Sequence, residues 1–307
     1  MGGILPTRVA LVGPTASGKS AVALALARAR SDVEIVTADS MQVYVGMDVG
    51  TAKPTPAERA EIAHHLLDVA DPSEEYTVAR WQRAATAAVA DIDDRGGVGL
   101  VVGGTGLYVR SIVDRLDIPG RWPEVRAGLE VEVAESGSVA LHTRLQALDP
   151  IAASRMEPTN ARRVVRALEV TIGSGRPFSS YGPGLTAAQD TDFHLVGLEV
   201  DPSELVERIE ARYEHQLAAG FVDEVATLAE RPAGLSRTAR QALGYKELLD
   251  HLEGRCGLEE AVDLAIRRTR QFARRQRAWF RRDQRIEWVS PREALERLLQ
   301  LLDGPPE

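Results

Sequence analysis

The chain has a single cysteine, Cys256, which leaves no intrachain disulfide and no cysteine-based metal centre to build. It lacks any apolar run near the roughly 20 residues needed to cross a bilayer. Its first residues lead straight into a strand pattern without the layout of a signal peptide. Internal repeats and low-complexity tracts are missing as well. These absences create the expectation of a cytoplasmic globular protein with no membrane partner. Positive charge is short overall, and a net charge of −8 argues against a polyanionic partner for the chain as a whole. The average hides a local excess. Between Arg267 and Arg285 stand nine arginines (267, 268, 270, 274, 275, 277, 281, 282, 285) against one acid, Asp283. That is a basic stripe on an acidic protein, the footprint of a localised anion partner. At 307 residues the chain can bury a full α/β core and still carry an insertion.

What is present is organised around Gly13–Ser20, read as GPTASGKS. It follows the apolar run Val9–Val12 and opens into the helical pattern Ala21–Arg30. Strand, glycine-bounded loop and helix form the context in which G-x-x-x-x-G-K-[ST] reads as a phosphate-binding loop. Gly13 and Gly18 let consecutive backbone N–H groups turn toward an anion, and the helix N-terminus adds its dipole. Lys19 would reach the outer phosphate oxygens, and the Ser20 hydroxyl would ligate a magnesium ion.

Further along, Val33–Ala38 reads as a second strand, Gly46–Pro54 as a glycine-rich loop, Ala57–Leu67 as a helix and Thr77–Arg95 as a longer helix with Thr77 as N-cap. Val98–Val102 reads as a buried third strand turning through Gly103-Gly104-Thr105-Gly106 into another helix. Strands alternating with helices predict a parallel sheet covered on both faces, a phosphate-loop α/β fold. At Ile118–Pro123 the pattern changes to polar helices that end in a loose segment, Gly173–Gln189. The expected domains are therefore 1–117 with 191–307 as the α/β core, and 118–190 as a helical insertion. Phe193–Val200 returns to the sheet, Asp201-Pro202 opens a long helix, and three more helices follow, the third rich in arginine.

Several features bear on chemistry. Asp39 lies at the carboxyl end of the second strand, where it reads equally as a proton acceptor or as a cap. Thr105 sits on the same rim, with an N-cap as its plainer reading. The third strand ends in Gly103, with no acid where a magnesium-holding aspartate normally stands. That weakens an ATPase reading and favours a ligand that leaves as a whole diphosphate. Lys53 and Arg212, with Arg208 one turn earlier, are candidate diphosphate clamps. Arg162, Arg163 and Arg166 share a helical face in the insertion. Trp279 and Phe280, set among the C-terminal arginines, offer apolar anchorage or a surface for base stacking. His64-His65 lacks partners at metal-ligand spacing and reads as a structural pair.

The blocks GPTASGKS, ADSMQVYVGMDVGTAKP, VGGTGLY, RRVVRALEV, RQALGYKEL and RRQRAWFRR, in that order, resemble the bacterial tRNA dimethylallyltransferases. The resemblance implies transfer of a dimethylallyl group from dimethylallyl diphosphate to the exocyclic amino nitrogen of the adenosine 3′ to the anticodon, with Mg2+ required. It implies a nucleotide-type loop, Gly13 with Thr15, Ala16, Ser17, Gly18, Lys19 and Ser20, holding the diphosphate together with Arg212, and Ser20 on the metal. Asp39 would be the general base and Thr105 would act near the reacting centre. Contacts to the anticodon stem-loop would come from Asp39, Ser40, Met41, Gln42, Thr105, Arg126, Arg162, Arg163, Arg166, Gln241, Gly244, Tyr245, Lys246, Arg274, Arg275, Gln276, Arg277, Trp279 and Arg281. A monomer is expected. The competing readings are a small-molecule kinase or adenylate isopentenyltransferase on the same loop, neither of which needs the arginine stripe, and a nucleotide-dependent RNA-binding switch without turnover.

Overall fold

The computed structural model describes residues 8–182 and 188–303. In chain order its strands are β1 (Arg8–Val12), β2 (Val33–Thr37), β3 (His64–His65), β4 (Val98–Gly103), β5 (Phe193–Leu198) and β6 (Ile286–Val289). The helices are α1 (Lys19–Ala29), α2 (Pro56–Glu61), α3 (Val78–Asp94), α4 (Gly106–Val113), α5 (Pro123–Leu148), α6 (Pro150–Ser154) and α7 (Ala161–Ser174). They continue with α8 (Pro202–Ala218), α9 (Phe221–Ala229), α10 (Arg237–Arg240), α11 (Tyr245–Leu252), α12 (Leu258–Phe280) and α13 (Ala294–Asp303). Two compact units result: residues 1–113 with 191–307, and residues 114–190.

The larger unit is built on a parallel sheet in the order β3-β2-β4-β1-β5-β6. Its central strands β1 and β4 are apolar almost throughout because both faces are covered, while polar residues such as Glu34, His194 and Glu287 stand at less buried positions. Ala10 and Val12 face Trp81, Val89 and Ile92 of α3 and the buried side of α12, while Val9 and Leu11 face Leu26 of α1 and Leu298 of α13. Trp81 is fully buried, stacks on Tyr108 with centroids 4.7 Å apart, and donates its indole N–H to Thr37 O at 3.0 Å. Truncating it would cost about 3–5 kcal/mol. The order of strands puts the loops after β1, β2 and β4 at one carboxyl edge, where parallel sheets bind ligands.

Local signals set most helix starts. Thr77 caps α3 by accepting from Arg80 N, and Asp201 caps α8 with Pro202 in its first turn. The expected helix Ala57–Leu67 stops at Glu61, and His64-His65 instead forms a short edge strand paired with Ile35 and Val36. The pairing satisfies backbone groups along the edge of β2 that a helix continued to Leu67 would have left to solvent, and no local signal announces it. The arginine-rich helix is the fourth after α8, since the single turn α10 intervenes.

The smaller unit packs α5 and α7 around Leu141, Leu145, Val164 and Leu168. The backbone of α5 breaks at Gly137 (φ +77°). Buried Asp149 caps α6 and accepts from Ser179 N at 2.7 Å, which ties the turn Phe178–Ser180 to the helices. The expected loose segment Gly173–Gln189 begins inside α7 and lies partly outside the described residues.

Candidate active site

The loop between β1 and α1 is held in a turn by Gly18 (φ +94°), a conformation that suits glycine, and Ser17 within it is fully buried. Lys19 follows in the first turn of α1, and its Nζ donates to Pro14 O at 2.7 Å. Burial lowers its pKa to about 8; nearby Asp39 opposes that fall and Arg212 adds to it. Arg212, from α8, donates to Thr15 Oγ1 at 2.8 Å and to Gly50 O at 3.2 Å, while its buried Nε has no partner among the described residues. Arg208, one turn earlier, donates to Ser17 O at 3.3 Å. A depressed lysine beside an unsatisfied guanidinium N–H is an unneutralised cationic pocket. Ser20 is exposed, and its hydroxyl has no partner among the described residues.

Asp39 combines both of its sequence readings. Its Oδ1 accepts from Met41 N at 2.8 Å and Gln42 N at 3.3 Å, capping the turn after β2. Its Oδ2 makes no hydrogen bond among the described residues. Thr105 begins α4 with its carbonyl, accepting from Tyr108 N at 2.9 Å. Its Oγ1 accepts from Ser40 N at 3.3 Å, so its own proton is available to a ligand. These groups share one cavity of about 800 Å³, lined among others by Thr15, Lys19, Ser20, Asp39, Thr105, Arg212, Gln241 and Arg275. A volume of this order suits a small-molecule ligand.

The glycines after β4 have a packing role. A Cβ on Gly103 would lie 2.1 Å from Ala38 O, so position 103 has no room for a magnesium-holding aspartate. A Cβ on Gly106 would lie 2.2 Å from the indole nitrogen of Trp279. Trp279, expected against RNA, is therefore half-buried against α4, where it packs on the core.

Several expected contacts are redirected in this way. Lys53 is no diphosphate clamp: it is buried, donating to Tyr44 O at 2.7 Å, Asp48 at 2.6 Å and Asp68 at 2.5 Å. Tyr245 is fully buried, donates to Glu224 at 2.6 Å and has its pKa raised by burial, so it does not present its ring to a polynucleotide. Gly244 is buried too, its missing Cβ making way for Phe221 at 2.7 Å. Gln276 is buried between two loops. Arg277 and Arg281 both pair with Glu199, and Arg281 also lies 4.5 Å over the Trp288 ring. In the smaller unit, Arg126 and Arg166 converge on buried Glu169 at 3.3 and 3.0 Å.

Exposed side chains with neither ion pair nor hydrogen bond among the described residues remain at Arg162, Arg163, Gln241, Lys246, Arg267, Arg274, Arg275 and Arg282. On α12 Arg267, Arg274 and Arg275 fall along one side, because positions seven or eight apart return to nearly the same face, and Arg282 follows just past the helix end.

Sequence reasoning passed over Glu224. Its carboxylate accepts from Asp48 N, Val49 N and Gly50 N at 2.9, 2.7 and 3.1 Å, holding the loop that Arg212 touches. In sequence it is only an acid in the first turn of a helix, and nothing local distinguishes it.

The fold and loop define a phosphate-loop α/β protein whose cationic pocket faces a carboxylate across one cavity. The IPP transferase family model matches residues 42–283. A tRNA dimethylallyltransferase of Kineococcus radiotolerans is 50% identical, covering 96% of this chain and 96% of its own length. One of Acidothermus cellulolyticus is also 50% identical, covering 93% and 89%. Among solved structures, a tRNA isopentenylpyrophosphate transferase from Bacillus halodurans aligns with a TM-score of 0.69 at 36% identity over 97% of each chain. A eukaryotic dimethylallyltransferase described as acting on tRNA aligns at 0.75 and 28% identity over 89% of this chain and 69% of its own. The chain belongs to the IPP transferase family, with tRNA dimethylallyltransferases as its relatives over nearly its whole length.

Proposed function

We propose that this chain transfers a dimethylallyl group from dimethylallyl diphosphate to the exocyclic amino nitrogen of the adenosine 3′-adjacent to the anticodon in tRNA, releasing diphosphate. The observation that carries this reading is a single cavity holding Lys19 and Arg212 with unspent donor capacity, a carboxylate with one free oxygen at Asp39, and the exposed Arg275 in its lining. Relatives named for acting on tRNA support the choice of acceptor.

The chemistry follows from the leaving group. Diphosphate departs from an allylic carbon with its negative charge rising, so Lys19, Arg212 and the loop N–H groups would stabilise it. Magnesium fits the donors present: Ser20 supplies a free hydroxyl, and this ion commonly takes few protein ligands beside phosphate oxygens and water. When bound it would neutralise further charge on the diphosphate. The aryl amine is a weak nucleophile, and Asp39 would accept its proton through Oδ2 while Oδ1 stays fixed by two backbone donors. The Thr105 hydroxyl would donate to a ligand oxygen. The adenosine must leave its stack to reach the pocket, at a cost of a few kcal/mol. Arginine contacts to phosphates, from Arg274 and Arg275 in one unit and Arg162 and Arg163 in the other, would offset that cost. The protein would act as a cytoplasmic monomer; no described helix is long and apolar enough to cross a membrane.

The test is incubation with unmodified tRNA and radiolabelled dimethylallyl diphosphate, with ATP in a parallel reaction as the rival donor. Label in the RNA only with the prenyl donor is the expected result. ATP turnover without prenyl transfer would overturn it.

A further inference from the structure

Gln276 stands in the arginine stripe, yet its side chain points inward. Only 8% of it is exposed. Its Oε1 accepts from Thr15 N at 2.8 Å, and its Nε2 donates to Gly104 O at 2.7 Å. One amide thus joins the loop that leads to Lys19, the loop that leads to Thr105, and α12. The chemistry of the two partners fixes which end faces which, since Thr15 N can only donate and Gly104 O can only accept. Among side chains of this length a carboxamide alone serves both. A carboxylate would set oxygen against the Gly104 carbonyl, and a thioether would leave both groups unpaired. Position 104 is shaped to the contact: a Cβ there would lie 2.5 Å from Nε2.

The preceding residues, Arg274 and Arg275, are exposed and form no ion pair among the described residues, and Arg275 lines the cavity. We infer that Gln276 is a positioning residue that couples the outward arginines of α12 to the diphosphate loop, so that RNA phosphates held on Arg274 and Arg275 tighten the grip on diphosphate. A contact on the helix surface fixes the turn bearing Gln276, and the buried amide passes that constraint to Thr15 and Gly104 in one step. The inference rests on the proposed reaction, since it takes RNA and diphosphate as the two ligands.

The experiment measures the dissociation constant of inorganic diphosphate with magnesium, by calorimetry on the full chain, with and without an unmodified anticodon stem-loop RNA. Wild type is compared with Gln276→Glu, which keeps the acceptor for Thr15, and with near-isosteric Gln276→Met. For wild type, RNA should tighten diphosphate binding at least about fivefold, the usual range of coupling between sites. In both variants the ratio should fall toward one and the KM for the prenyl donor should rise, with the protein still folded though less stable, because buried groups lose their partners. A wild type without coupling, or folded variants that keep the wild-type ratio, would overturn the inference. Loss of fold in both would also overturn it, reducing the amide to a structural clamp. Failure of the wild type to prenylate RNA at all defeats the proposed reaction instead, and transfer with an unchanged ratio defeats only the coupling.

Discussion

At the scale of single residues, Asp39 shows how one carboxylate divides its labour. Because Oδ1 caps the turn through Met41 N and Gln42 N, replacement by alanine would loosen Ser40–Gln42 as well as remove the base. Asp39→Asn keeps the acceptor and alters only the second oxygen, so it is the cleaner probe. Transfer should fall about 10²-fold or more with RNA affinity unchanged, as read by single-turnover labelling and filter binding; near-normal turnover would remove Asp39 from the base role. Lys19 makes a prediction in pH. Its pKa of about 8 in the free protein lies below the ordinary 10.5, so it loses its proton as pH rises through 8. A bound diphosphate favours the charged form and restores the proton. Above pH 8, binding should therefore take up a proton at this site. Calorimetry in buffers of different ionisation enthalpy should detect that uptake relative to Lys19→Arg, which stays charged throughout. Equal uptake by both proteins would place the titrating group elsewhere.

At the scale of the element, α12 carries arginines that sequence treats alike and the structure sorts. Arg268, Arg270 and Arg277 are tied to Glu247, Glu210 and Glu199, and Arg281 at its C-cap to Glu199, whereas Arg267, Arg274 and Arg275, and Arg282 just past its end, face outward without such partners among the described residues. The double change Arg274→Ala with Arg275→Ala should weaken RNA binding and flatten its salt dependence by roughly 1.5 to 2 in log–log slope. Arg277→Ala with Arg281→Ala should flatten it less, because those charges are already neutralised within the protein. Equal slopes would mean that the pairs with Glu199 open on binding. The elements themselves were largely legible. Thr77, Asp201-Pro202 and the apolar strands act through neighbours a few residues away, and the helices and strands begin where those signals stand. The short β3 was not legible, because its cause is a pairing with β2 some thirty residues earlier in the chain.

At the scale of the molecule, every residue lining the cavity belongs to the larger unit. A change confined to the smaller unit should leave diphosphate binding intact. Glu169→Ala would leave Arg126 with Glu130 alone and Arg166 with Pro119 O alone, and Trp122 N without its acceptor. The cost should be about 2–3 kcal/mol of that unit's stability, less than for a fully buried pair because the guanidiniums are partly exposed. Denaturation should register this loss, while diphosphate affinity, measured separately, should not move; a parallel loss of both would contradict it. The sequence by itself determined the parallel α/β class, the phosphate loop and the positions of Asp39 and Thr105 on the rim, since glycine turns, apolar strands and caps are local physics. Only the tertiary structure decided which basic residues are free and which are consumed, that Tyr245, Trp279 and Gln276 turn inward, and that Glu224 holds the loop at Gly50. Those outcomes depend on partners brought together from distant parts of the chain, and a carboxylate that neutralises an arginine from afar leaves no mark on the residues beside it.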